Sequence, residues 1–173
     1  MIMLVSNYQV IRMDKKDINL LGLVAFVGAI IMIVGVFLAW GKFEVTTYIG
    51  GTSESYTGWQ IFNDMKDNLD YYYAPVVALA CGIVALLAMI LPTINSSSKM
   101  DKINKILSIV VLIVSIVSIV FMVQFYSSFT DATDLGGIIG AKTTVQIGFW
   151  LCLVGGIITA IGGILPIVKK ITA

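Results

Sequence analysis

Four stretches of this chain, Ile18–Trp40, Ala74–Ile94, Ile106–Tyr126 and Val145–Val168, contain no Asp, Glu, Lys or Arg. Each runs for about 20 residues or more, enough for a helix rising roughly 1.5 Å per residue to cross a hydrocarbon core of about 30 Å. Composition points the same way. Of the 173 residues, 58% are hydrophobic and only 12% are charged, where a soluble domain carries about a quarter. A chain this short cannot hide so much apolar sequence from water in a core of its own. The expected fold class is an all-α membrane protein: a four-transmembrane-helix bundle with a small extracytoplasmic β-hairpin cap, forming one domain over residues 1–173. The first run is too long for a cleaved leader and lacks a small-x-small exit site, so it reads as an anchor. Met13 is an alternative start, which makes residues 1–12 a loose tail or a mis-assigned beginning.

Basic residues orient the spans. Arg12, Lys15 and Lys16 precede the first, Lys99, Lys102 and Lys105 separate the second from the third, and Lys169 and Lys170 follow the fourth. Only Lys42, Lys66 and Lys142 fall on the other side. The positive-inside rule therefore predicts a multi-pass protein of the cell membrane with both termini cytoplasmic. Asn95-Ser96-Ser97 fits a glycosylation acceptor but lies on the inner side, where it stays unmodified.

Several functions are disfavoured by what the chain lacks. A net charge of +1 offers nothing to nucleic acid. The absence of histidine removes the usual general base and the commonest metal ligand. Cys81 and Cys152 sit in apolar runs and read as small hydrophobes. Asp64, Asp67 and Asp70 follow no Ca²⁺-loop order. Gly136, Gly137 and Gly140 lack the lysine spacing of a phosphate loop. No span holds an ionisable residue of the kind that marks an ion pathway. No catalytic, cofactor or metal site is expected, and the chain is read as a non-enzyme.

Lipid gives helices no hydrophobic reason to associate, so contact depends on small residues. The fourth span offers Gly148, Cys152, Gly156 and Ala160 at i+4 spacing, with Gly155, Thr159 and Gly163 beside them. The other spans offer Ala74, Ala78 and Gly82; Ser108, Ser115 and Ser118; and Gly28 with Gly35. Such ridges either hold the four helices of one chain together or bind another subunit.

The outer loop 41–73 has a different character. In AWGKFEVTTYIGGTSESYTGWQIF, residues 39–62, Phe43, Val45, Thr47 and Ile49 alternate with Glu44, Thr46 and Tyr48. That is the period of a strand. Gly50-Gly51 suits a tight turn, and Thr52–Ile61 returns as a second strand. A lone hairpin is marginal in water, so this one must lie on the helix ends or recruit another strand. Ile61, Met65 and Leu69 then predict a short amphipathic helix. Trp40, Tyr71–Tyr73, Phe125, Tyr126, Phe129, Phe149 and Trp150 fall at the outer boundary, as an interfacial belt would. Residues 127–144 form a second outer segment that either dips into the interface or covers the hairpin.

Trp40, at the end of the first span, and Gly58-Trp59, in the first outer loop, resemble the tryptophan positions of claudin-like tetraspan proteins. The Leu between Gly and Trp and the two loop cysteines of that family are missing, so junctional adhesion and a paracellular pore do not carry over. The pattern is more similar to small prokaryotic four-span proteins with a Trp at the end of the first span and a Gly-Trp in the first loop. The resemblance implies a fold and no activity. The function expected is that of a non-catalytic interaction, accessory or structural subunit, acting through its helix faces and through an outer cap at Trp40, Gly58 and Trp59. Its partners would be the lipid bilayer and a homo-oligomer or another membrane protein. The alternative is a transport-related component whose pathway forms only in an oligomer.

Overall fold

The computed structural model describes residues 22–47, 50–67, 69–94, 100–131 and 140–169. The tail 1–12, the basic residues before the first apolar run, Asn95-Ser96-Ser97 and the glycines at 136 and 137 lie outside them.

The described chain is mostly helical, with one small sheet. Helix α1 covers Gly22–Val36. Strands β1 (Ala39–Thr47) and β2 (Gly50–Thr57) follow, then the short helix α2 (Gly58–Asp64). Helices α3 (Ala74–Ile94) and α4 (Met100–Asp131), strand β3 (Gly140–Val145) and helix α5 (Ile147–Lys169) complete the order. Two helical segments, Ile103–Asp131 and Ile147–Ile164, are long and apolar enough to cross a membrane, and Gly22–Val36 and Ala74–Ile90 are shorter apolar stretches.

The four long helices form a ring in which small residues make the contacts. α1 meets α5 through Gly28 and Gly35, and meets α3 where Gly82 lies against Ile33 and Ala29. α4 closes the ring, with Ile119 against Gly156 and Leu112 against Gly163 of α5. Its Val111 also packs with Ala29, Ala85 and Ala88. Along α4 the buried positions Ser108, Val111, Ser115, Ser118, Met122, Phe125 and Phe129 recur at alternating steps of three and four. That spacing keeps one face of a 3.6-residue helix turned inward.

The sheet differs from the expected hairpin by one strand. Its order is β2-β1-β3, all antiparallel, so the segment between α4 and α5 supplies the third strand. A two-strand ribbon cannot bury a face, and adding β3 gives β1 a partner on both edges. One face carries Lys42 and Glu44, with Lys142 paired opposite Glu44. The other turns Phe43, Tyr56 and Val145 toward the helix ends.

Several boundaries move: α4 outruns the apolar run Ile106–Tyr126 at both ends, and α2 ends at Asp64, so Met65 and Leu69 lie beyond the short helix expected to carry them. The first helix stops at Val36 and not at Trp40, because Phe37 and Leu38 turn the chain into β1 with i→i+3 bonds, Phe37 N–H to Val34 O and Leu38 N–H to Gly35 O. Val145 ends a strand, and the last helix begins at Ile147. The returning strand ends at Thr57 because Thr57 caps α2. Its hydroxyl accepts the Gln60 N–H at 3.2 Å, while its own N–H donates to the Gln60 side chain at 2.9 Å. The two glycines expected at the turn open β2 instead, Gly50 with φ 156° pairing with Thr47.

Candidate functional site

Trp40 is the centre of the sheet end. The pairing of β1 with β2 steps from Ala39↔Thr57 to Gly41↔Tyr56, which leaves Trp40 as an extra residue. A bulge of this kind re-aims a side chain. The indole is fully buried, and its Nε1–H donates to the Gly35 carbonyl at 2.9 Å. That carbonyl, in the last turn of α1, also accepts the Leu38 N–H at 3.2 Å, so the indole fills its second acceptor position. Phe125 and Phe149 stand edge-on to the indole at 5.4 and 5.7 Å, and Phe129 stacks on Phe125 at 5.4 Å. The Trp40 carbonyl accepts the Gln146 N–H at 2.8 Å and fixes the junction of β3 with α5.

Gly58 and Gly148 make room for that ring. A Cβ on Gly58 would lie 2.9 Å from Trp40 Nε1 and 2.7 Å from the Val36 carbonyl. One on Gly148 would lie 2.8 Å from Trp40 Cδ1 and 2.7 Å from the Gly35 carbonyl. Trp40 and Gly58, both picked out in the sequence, therefore meet in one cluster. Trp59 does not join them. It is 43% exposed and lies beside Phe37 at 6.5 Å and Phe62 at 6.1 Å, on the outside of α2.

The small residues of α5 divide between two neighbours. Gly148 and Cys152 face α1, and the Cys152 thiol donates to the Met32 carbonyl at 3.1 Å. The same face continues through Gly155, Thr159 and Gly162, where added Cβ atoms on Gly155 and Gly162 would fall within 2.6–2.9 Å of α1. Gly156 instead faces Ile119 of α4 at an ordinary 3.4 Å, and Ala160 is half-buried. The i+4 row read from the sequence thus drifts off the α1 contact. The row that stays on it alternates steps of four and three, a pattern legible in the sequence once the 3.6-residue period is applied. Gly162, on that row, is the residue the i+4 reading missed.

Aromatic residues placed in a single belt also divide. Trp40, Phe125, Phe129 and Phe149 are core, while Tyr126 and Trp150 are 42% and 47% exposed. On the outer face of the sheet Lys42 pairs with Glu44, and its hydrogen bond and charge hold the Glu44 carboxyl below the ordinary glutamate range. The Tyr56 hydroxyl donates to Glu54, which pushes its own pKa up. Cys81 and Cys152 are free and buried. Among the described residues no three His, Cys, Asp or Glu side chains gather as metal ligands would. No protein-family model matches the chain, and no curated protein matches it either.

Proposed function

We propose that the chain is a four-span integral membrane protein of the cell membrane, with the sheet as an extracytoplasmic cap and both termini cytoplasmic. It serves as a non-catalytic interaction or accessory subunit. The observation that carries this reading is an inside-out distribution of residue sizes. Leu23, Ile30, Val34, Leu87, Ile113, Val123, Ile157 and Ile161 point outward from all four long helices, while Ala, Gly, Ser, Cys and Thr, joined by a few larger side chains such as Met32 and Val111, fill most of the contacts between them. Water would penalise such a surface, since monomeric soluble proteins seldom expose apolar patches beyond a few hundred Å². Lipid accepts it, and leaves close packing of small residues as the force that joins helices. The helices are also mostly uncovered: only 28% of the apolar window in α4 and 44% of that in α5 is buried. A core helix of a soluble protein would be covered on most sides.

Subunit contact is assigned to the cap. The α5 row at Gly148 and Cys152 is already used by α1 within the chain, whereas the β2 edge from Gly50 to Ser55 and the Trp59 ledge stand exposed. A chain that resists alkaline carbonate extraction, with Ser55→Cys labelled from outside intact cells and Ser97→Cys labelled only after permeabilisation, is the expected result. Release by carbonate, or the opposite labelling pattern, defeats the topology. For the subunit role, mild-detergent purification is expected to recover a stoichiometric partner or a homo-oligomer that Trp59→Ser disrupts without changing the melting temperature. A lone monomer for the wild type and the Trp59→Ser variant alike defeats it.

A further inference from the structure

Between α2 and α3 lies a cleft of about 420 Å³ lined by Lys66, Leu69, Asp70, Tyr71, Tyr72 and Tyr73. From this geometry we infer that the cleft binds an ammonium–phosphate zwitterion, the chemistry of a phosphatidylethanolamine headgroup.

Regular backbone does not bring three consecutive side chains to one cleft. Successive residues diverge by about 100° on a helix and by about 180° on a strand. Here the chain turns at Tyr71, whose φ of 59° is left-handed, a region a bulky residue seldom enters. The rings then sit across one another, Tyr72 and Tyr73 at 5.5 Å and 83°, Tyr71 and Tyr73 at 6.0 Å and 56°. Tyr72 is backed by Phe62 and Tyr73 by Phe121, so the arrangement is held from behind.

The two charges of the cleft are not spent on each other. Lys66 Nζ lies 5.6 Å over the Phe62 ring, and among the described residues the ion pair formed is Lys42 with Glu44, so neither Lys66 nor Asp70 has one. A phosphate satisfies the lysine, and an ammonium satisfies the aspartate. A headgroup of purely negative charge would leave Asp70 facing like charge. The placement fits as well: Tyr73 directly precedes α3, which puts the cleft at headgroup depth under the topology proposed above, on which the lipid source rests.

The same chemistry is carried by a phospholipid or by free O-phosphoethanolamine, and the test separates them. Full-length chain, delipidated in mild detergent, is titrated with short-chain phosphatidylethanolamine, phosphatidylglycerol and soluble O-phosphoethanolamine, with native mass spectrometry and calorimetry as readouts. Phosphatidylethanolamine is expected to bind about tenfold more tightly than phosphatidylglycerol, the worth of one added charge-assisted contact. Lys66→Gln with Asp70→Asn should abolish that preference, and Asp70→Asn alone should reduce it; both side chains are exposed, so the melting temperature should hold. Saturable binding of O-phosphoethanolamine that the double variant removes supports the cleft even if carbonate extraction has defeated the membrane reading. Binding of the lipid alone assigns the bilayer as the source. Equal affinity for the two lipids without binding of O-phosphoethanolamine, or a preference that survives both variants, overturns the inference.

Discussion

The contact between α1 and α5 and the cluster around Trp40 are both tightly packed, yet they are built from opposite materials. Along α1 and α5 the contact is Gly28, Gly35, Gly148, Cys152, Gly155, Thr159 and Gly162, and backbone lies against backbone. At the sheet end the contact is Trp40, Phe125, Phe129 and Phe149, where rings lie against rings. Under the membrane topology proposed above, the difference follows from the solvent each region would otherwise meet. In lipid a large side chain gains little by turning inward, so close approach of backbones is what remains to hold helices together. At the sheet end, which that topology places outside the bilayer, burying an aromatic ring recovers the hydrophobic term in full.

The sharpest way to break this contrast is a pair of adjacent glycines. Gly155→Leu drives a side chain into the Gly28 carbonyl and Met32, already 2.7–2.9 Å from the first added carbon, and should cost about 4 kcal/mol or more. Gly156→Ala meets Ile119 at 3.4 Å and Met32 Sδ at 3.9 Å, both ordinary contacts, and should change stability by less than about 1 kcal/mol, with helix propensity in its favour. Unfolding in mild detergent with added SDS measures both. Equal effects at the two positions would refute the assigned helix phase.

Trp40→Ala removes the ring at the centre of the aromatic cluster and the donor to Gly35, and should cost about 3–5 kcal/mol. Its tertiary signature is loss of near-ultraviolet circular dichroism with helical content retained. A loss below about 1 kcal/mol would mean the cluster is not packed as described. Thr57→Ala deletes the cap of α2 and should cost about 1 kcal/mol, read as earlier hydrogen exchange in residues 58–64 than in α3.

The smallest effect belongs to Glu44. Lys42 holds its folded pKa below the unfolded value, so its stabilisation is present above the ordinary glutamate range and is lost as pH falls through the folded pKa. Glu44→Gln should flatten the acid limb of the melting curve slightly and leave the neutral plateau almost unchanged. Because the carboxyl is exposed, added salt should shrink the difference. An identical acid limb in wild type and variant would show that the pair contributes nothing measurable.

Much of this architecture was legible beforehand. The bounds of α3 coincide with the apolar run Ala74–Ile94, and β1 follows the alternation of Phe43 and Val45. The end of α1 was not legible from hydropathy, because Phe37, Leu38, Ala39 and Trp40 are as apolar as the helix before them. What changes there is the period, from 3.6 to 2, and hydropathy records environment without recording backbone. The start of α2 was legible in Thr57-Gly58-Trp59-Gln60, a capping-box spacing that competes with the strand reading of the same residues.

Residue type and spacing by themselves determined the apolar segments, the strand period of the loop and the presence of small-residue rows, since these depend on local geometry and on transfer from water. Which row meets which neighbour was decided only in the tertiary structure. β3 pairs with a strand about a hundred residues earlier in the chain, Gly155 meets Gly28 while Gly156 meets Ile119, and Trp40 turns inward on a bulge. Each of these depends on the rotation of one element against another distant in sequence, and a one-residue change of phase turns a packed face outward.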